Sequence, residues 1–356
     1  VSVVVVIGTG DMGERLAVGL AAGGRVRRLV LAGRSGPALA AVSATLASVS
    51  DSLIEPVQVD ALRTEAVAEL LAATSPDLVV QCASLRSPWA LAGRADAAAR
   101  AVVAAGFGLR LPYQLPLILS VMRAAKDAGY AGPVANLSYP DVTGPVLRCL
   151  GLAPALGLGN AGMIVRRARA ALRAASPEAD LPLVRVLGHH SQLAAVMQAR
   201  EPADPRERCR VYLGEDGQRD DALGYRAPGL APGLRYNAVT AAAAVPVLEA
   251  LLPGSAPLRW STPAPGGLPG GYPVLIANGA VTLDLPPGLT RQDAIAFNDG
   301  MARRDGIERI DDDGTVHFTS ACRDAVAGLD PRLAEPLAPG DLRARAAALD
   351  GALAGT

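Results

Sequence analysis

Lysine is almost absent from this 356-residue chain: Lys126 stands alone against an arginine-rich background. Any mechanism built on a Schiff-base lysine is thereby weakened, because Lys126 lies in the polar helix end RAAKDAG and reads as solvated surface. An excess of charge of one sign is lacking too. The 34 basic and 34 acidic residues cancel, so no nucleic-acid surface or other polyanion-binding face is expected. Cysteine is sparse: Cys82, Cys149, Cys209 and Cys322 form no CxxC or other metal-ligand spacing. Dispersed thiols of this kind fit a reduced, cytoplasmic protein. The three histidines are His189, His190 and His317, and the adjacent pair argues against a three-histidine zinc site. No metal is expected. No uninterrupted apolar stretch is long enough to span a bilayer, and the first strand carries no basic leader or cleavage site, so a soluble intracellular chain is expected.

What the sequence does have comes first in the chain, in VSVVVVIGTGDMGER. A β-branched run from Val3 to Ile7 meets Gly8-x-Gly10-x-x-Gly13, and a helix-like segment follows to about Gly23. Strand, tight turn and helix in this order are the dinucleotide-binding signature. Gly8 permits the turn, Gly10 lets backbone approach a pyrophosphate, and Gly13 lets helix and strand pack closely. The helix N-terminus adds unpaired N–H groups and a favourable dipole for phosphate. Asp11 and Met12 within the turn, and Cys82 and Ala83 after the fourth strand, complete the expected cofactor-binding set around it.

Strand and helix signals then alternate. Strands are expected at 28–32, 53–59, 77–82 and 133–137, with helices at 60–73, 89–105 and 115–128. The alternation implies an α/β fold with parallel strands joined by right-handed crossovers. Residues 1–140 form the expected Rossmann domain. Residues 141–356 have a different texture and form the expected α+β substrate domain. Strands are expected there at 155–158, 183–188, 209–213, 272–277 and 280–283, and helices at 161–175, 231–252, 290–303 and 339–352. Pro246 should kink or divide the helix 231–252. TPAPGGLPGG, 262–271, reads as a loop, and Asp311, Asp312 and Asp313 as a solvated turn before a structural His317.

The second strand ends in LVLAGRSG, with Gly33, Arg34 and Ser35 where an acidic residue would bind an adenine ribose. Arg34 and Ser35 suit a 2′-phosphate through charge and hydrogen bonds, which points to NADP rather than NAD.

Several landmarks in order carry a resemblance: YPDVTG at 139–144, Gly151-Leu152-Ala153-Pro154 followed by GLGNAG, VLGHHS at 186–191, and GGYPVLIANGAVTLDL at 270–285. Together they resemble the two-domain lactate and malate dehydrogenases. AGRS and the PDLVVQCAS strand equally resemble NADP-binding reductases of the saccharopine dehydrogenase type. The first resemblance implies an NADP-dependent oxidoreductase moving hydride between nicotinamide and a small 2-keto or 2-hydroxy acid. It also implies a homodimer. The second leaves open an imine-reducing opine- or saccharopine-type enzyme, and a catalytically inactive nucleotide-binding protein is a further alternative.

The family's proton-exchanging histidine falls by motif on His190, and histidine suits the task because it titrates near neutrality. On a continuing strand His189 would face the other way. The family's carboxylate-gripping arginine falls on Arg166, or on Arg167 if the register moves by one. Its histidine-orienting aspartate falls on Met163 or Ile164, so that carboxylate is missing. The loop ASLRSPW offers Arg86 as the carbonyl-polarising arginine. Asn136, rather than Ser138, is expected beside the nicotinamide because its amide both donates and accepts. Asp141 is expected to cap a helix, with a role as the replacement histidine partner as the lesser alternative.

Overall fold

A computed structural model describes residues 2–355 of the chain. The first half runs β1 (Ser2–Ile7), α1 (Asp11–Ala22), β2 (Val26–Gly33), α2 (Gly36–Val49), β3 (Leu53–Gln58), α3 (Thr64–Thr74) and β4 (Leu78–Gln81). It continues through α4 (Ala97–Ala104), α5 (Leu111–Asp127), β5 (Val134–Asn136), α6 (Pro140–Cys149) and β6 (Leu156–Gly157). The six strands form one parallel sheet in the order β3-β2-β1-β4-β5-β6. Successive residues of β1 alternate between two cores. Val5 and Ile7 face one side with Val30 and Val79, while Val4 and Val6 face the other with Leu29, Leu31, Leu78 and Val80. Helices cover both faces, so the strands read as continuous apolar runs.

The sheet does not stop at residue 140, where the sequence places the domain boundary. Its last strand, β6, pairs with β5 through Ala135–Leu156 and Asn136–Gly157. A two-residue strand carries too little periodicity to be assigned to a sheet in advance. Helix α2, unassigned in the sequence, is capped by Ser35, whose hydroxyl accepts from the Ala38 N–H at 3.3 Å. The expected helix 89–105 is instead a short 3-10 turn, Pro88–Leu91, followed by α4 with Asp96 as its N-cap.

The second half contains α7 (Asn160–Ala175), β7 (Val184–Leu187), α8 (His190–Met197), β8 (Arg210–Leu213), β9 (Gln218–Arg219) and α9 (Arg235–Leu251). Then come β10 (Leu258–Pro263), β11 (Gly271–Ala277), β12 (Ala280–Leu283), α10 (Arg291–Ala302), β13 (Ile307–Ile310), β14 (Val316–Phe318), α11 (Ser320–Val326) and α12 (Leu342–Ala354). Antiparallel sheets β7-β8-β9 and β10-β11-β12 meet through a bridge between Gly188 and Gly271. Val316, Phe318, Val326 and Leu349 return to the core of the first half, packing with Ile118 and Val121 of α5. Among the described residues no single helix is long and apolar enough to cross a membrane.

Prolines inside α6 and α9 each release a carbonyl that ties the helix to another element. Proline has no N–H, so the carbonyl four residues earlier loses its helical partner. Pro145 in α6 frees the Asp141 carbonyl, which accepts instead from the Gly270 N–H at 3.2 Å. Pro246 in α9 frees the Ala242 carbonyl, which accepts from Arg166 Nε at 3.0 Å. Of the kink or division expected at Pro246, the division does not occur: α9 is one helix through it.

The glycine turn separates geometric need from open space. Gly8 has φ +112°, and a Cβ there would lie 2.8 Å from the Ala83 nitrogen; one on Gly13 would lie 1.8 Å from the Gly8 carbonyl oxygen. A Cβ on Gly10 meets nothing within 4 Å. Gly13→Ala should therefore cost about 3 kcal/mol in chemical denaturation, because backbone must move. Gly10→Ala should cost about 1 kcal/mol or less. Equal losses would show that the turn does not need its glycines for the reasons given.

Candidate active site

Strand β7 ends at Leu187, and the Gly188–Gly271 bridge turns the chain before the two histidines. The strand does not continue through them. His189 is the N-cap of α8, forming a reciprocal capping box with Gln192, and His190 is the first helical residue. The His190 N–H donates to Asp141 Oδ1 at 3.0 Å, which fixes its backbone to the start of α6. Its imidazole Nδ1 is 2.7 Å from Asp305 Oδ2. Asp305 comes from the short 3-10 turn after α10, and the same oxygen accepts from the Tyr139 hydroxyl at 3.0 Å. His189 Nδ1 lies 3.6 Å from it. A Cβ on Gly106, which has φ +90°, would lie 2.5 Å from the Asp305 backbone. Only glycine there lets the aspartate reach so far in.

Aromatic rings enclose the histidine. The Phe107 centroid is 4.5 Å and the Tyr139 centroid 5.1 Å from that of His190. The Arg110 guanidinium lies over Phe107 at 5.1 Å, and its buried Nε has no partner. The His190 side chain is 25 % exposed and that of Asp305 7 %. With Nδ1 held by Asp305, Nε2 has no hydrogen-bond partner among the described residues.

The two side chains shift each other's titration in opposite directions. Burial opposes the His190 imidazolium, but the Asp305 charge and hydrogen bond outweigh it and raise the pKa above the ordinary histidine value. Asp141 adds to the rise and Arg110 opposes it. Burial also opposes the Asp305 carboxylate, yet His190, His189 and the Tyr139 hydroxyl hold its pKa below the ordinary range. His189, fully buried, is pushed down by burial despite the nearby Asp141 and Asp305.

The other residues singled out in the sequence divide clearly. Gly8, Gly10 and Gly13 form the turn at the end of β1. Arg34 is exposed at the end of β2, with no acidic partner to its side chain among the described residues, beside Ser35. Asp11 is held by Arg15 at 2.9 Å and by Asn237 at 2.7 Å, while Met12 packs against the core. Cys82 is turned beneath the glycine turn, its thiol donating to the Ile7 carbonyl at 3.2 Å; burial pushes its pKa up to about 12. The Ala83 carbonyl accepts from Ser138 Oγ at 2.7 Å.

Four expected roles need correction. Asn136 is fully buried, with its amide donating to Thr143 at 2.9 Å and accepting from the Ser138 N–H at 3.0 Å, so both ends are spent on the turn. Arg86 pairs with Asp350 of α12 at 2.6 Å. Arg166 caps the carbonyl freed by Pro246 and lies 5.2 Å over the Trp260 ring. Arg167 is buried and donates to the Ala227 carbonyl at 2.9 Å. None of these four contacts His190. Asp141 is not the imidazole's partner either; it binds the backbone of His190.

Sequence reasoning missed Asp305, Tyr139, Phe107 and Arg110. Asp305 sits in MARRDGIE, which reads as an ordinary charged helix end, 115 residues from its partner. Arg110 lies just before α5, far along the chain from the end of β4 where the resemblance places an arginine.

No family model and no curated protein matches the sequence. Solved structures do. A lactate dehydrogenase from Cryptosporidium parvum, solved with lactic acid and nicotinamide adenine dinucleotide, is 16% identical with TM-score 0.53, over 85% of this chain and 96% of that one. A lactate dehydrogenase from a Medee basin deep-sea metagenome library is 15% identical with TM-score 0.50, again over 85% and 96%. A malate dehydrogenase from Salinibacter ruber gives 14% and 0.49, over 84% and 93%. The chain thus has a remote structural resemblance to the two lactate dehydrogenases, in keeping with the sequence landmarks. The likeness is one of fold: an N-terminal parallel sheet followed by a separate α+β part.

Native His190 keeps its proton to higher pH than the unfolded chain does. Its contribution to stability is complete below the ordinary histidine pKa and is lost as pH rises through the raised one. Asp305→Asn should remove that loss and bring the His190 pKa below the ordinary value, since burial remains while the carboxylate goes. Titrating the imidazole by NMR in both proteins checks this; an unchanged pKa would dissolve the dyad.

Proposed function

We propose that the chain is an NADP-dependent oxidoreductase acting on a small carbonyl or hydroxyl compound, with His190 as proton donor and acceptor. The observation that carries the reading is the His190–Asp305 pair, built against the segments that follow β4 and β5. Ligand crevices of α/β sheets lie beyond the carboxyl ends of their strands. The nucleotide fits the residues present. Gly10 leaves open space for pyrophosphate at the N-terminus of α1, and Arg34 with Ser35 offers charge and a helix N-terminus to a 2′-phosphate.

When bound, the nicotinamide supplies or accepts the hydride. The chain's own part is the proton. With Nδ1 oriented by Asp305, the Nε2 proton passes to the carbonyl oxygen during reduction and returns during oxidation. Tyr139 fixes the carboxylate by its hydroxyl, and Phe107 and Tyr139 keep the imidazole from rotating. Arg110 is the cation nearest the dyad and takes the part first assigned to Arg86, drawing the carbonyl oxygen into place. Arg166 and Arg167 are engaged with backbone carbonyls, so the reading assigns no carboxylate clamp to α7.

Consumption of NADPH, followed by absorbance with a panel of aldehydes, ketones and keto acids, tests the proposal. His190→Asn should lower kcat/KM at least about a hundredfold with nucleotide affinity unchanged. Full turnover by the variant would remove the histidine from the chemistry. Reduction needs the protonated imidazole, so kcat/KM should fall as pH rises through the raised His190 pKa. A flat profile across that range would contradict the assignment. Arg34→Ala should weaken NADPH about tenfold more than NADH. Equal weakening would defeat the 2′-phosphate assignment.

A further inference from the structure

Away from the dyad, β8, β9 and α10 enclose an open cavity of about 630 Å³. Its walls are chemically unlike. In the β8–β9 register Tyr212 lies opposite Arg219, and Arg210 is two residues from Tyr212, so all three side chains project from one face of the sheet. Arg219 is fixed by Asp221, through Nε to Oδ1 at 2.9 Å and a second bond from the same guanidinium at 2.6 Å. Arg210 has no acidic partner among the described residues. Its guanidinium is stacked 4.3 Å over the Phe297 ring, and its Nε is buried without a hydrogen-bond partner. The Tyr212 hydroxyl forms no hydrogen bond among the described residues. Around the cavity stand Leu289, Phe297, whose ring lies against the Arg210 guanidinium, and Asp293, held by the Thr290 hydroxyl at the start of α10.

An unneutralised guanidinium beside a phenol is an oxyanion receptor, and the face of Arg210 is already occupied, which leaves its edge to donate. Phe297 and Leu289 suit an apolar body attached to that anion. The Asp293 charge repels a second negative charge, so a monoanion is favoured over a dianion. We propose that this cavity is a second ligand site that takes a small carboxylate carrying an aromatic or aliphatic body. The site is separate from the dyad and does not depend on the oxidoreductase reading.

Calorimetric titration of the full chain with benzoate, benzamide and inorganic phosphate tests it, with nucleotide absent. Benzoate should bind one to one, benzamide should not bind, and phosphate should bind at least about tenfold more weakly than benzoate. Arg210→Met, which keeps an unbranched apolar side chain, should weaken benzoate about tenfold or more. Asp293→Asn, at the exposed rim, should strengthen benzoate and narrow the gap to phosphate. His190→Asn and Arg110→Ala should bind benzoate as the parent does, which separates this site from the dyad. Benzoate binding lost in those two variants, retained in Arg210→Met, or matched by benzamide overturns the proposal. So does the absence of binding at about 10 mM, where a receptor of this kind is occupied.

Discussion

The buried carboxylate of Asp141 is the joint on which the rest of the site depends. One oxygen accepts the His190 N–H, the other the Asn160 amide, and its own carbonyl, released by Pro145, accepts from Gly270. Only 1 % of the residue is exposed. A buried carboxylate without such partners is strongly unfavourable, so these bonds are obligatory rather than incidental. They bring the start of α7, the start of α8 and the turn before β11 to a single point at the head of α6. The residue just before Pro140, Tyr139, is held at φ +46°, a region that large side chains seldom occupy. That conformation aims its hydroxyl at Asp305. The joint and the dyad are therefore neighbours in one short segment, and neither can move without the other.

The carboxylate beside His190 shows how little the chemistry cares for chain position. An imidazole that gives and takes a proton at Nε2 needs an acceptor at Nδ1 to fix its tautomer and favour its charged form. On α7 the residues at the positions where the resemblance places an aspartate are Met163 and Ile164, and both are buried in apolar clusters. Asp305 meets the need from the far end of α10, and the glycine at 106 makes room for it. Two further elements secure the choice. Tyr139 donates to the same carboxylate oxygen that His190 meets, and burial lowers the pKa of His189 beside it.

What was legible in the sequence was what repeats. Apolar strands alternating with helices gave the parallel sheet, and the glycine spacing located its turn, because both follow from local geometry. The misplaced features are those governed by distant partners. Helix α2 is alanine-rich and nearly uniform in apolarity, so it shows little of the amphipathic period that marks a helix. Helix α8 begins on a histidine that caps it, an unusual cap residue. Arg166 looked like a substrate ligand because a guanidinium suits carboxylates, yet Pro246 lies eighty residues further on, and only the packing of α7 on α9 reveals the carbonyl it repairs. Asn136 was chosen for an amide that both donates and accepts, and it does both, but to its own turn.

The loop after β4 is fastened by ties of the same long-range kind. Trp89 donates to Asn237 at 3.2 Å, and Asn237 donates in turn to Asp11 at the head of α1. The loop is thus linked by a single side chain to the segment that follows the glycine turn. Its other end is held through Arg86 to Asp350, which also accepts from the Tyr113 hydroxyl at 2.6 Å. Both ties are polar, and the Arg86–Asp350 pair is about half exposed, so it contributes little to stability. Trp89 adds an edge-on contact to Tyr236 at 5.6 Å. Apolar contacts hold the loop as well: Leu85 and Leu91 pack against the core of the first half, and Trp89 packs against the cluster of Met163, Met197 and Tyr236. The apolar packing around β1 and α5 carries the stability, while the polar ties set the position of the loop.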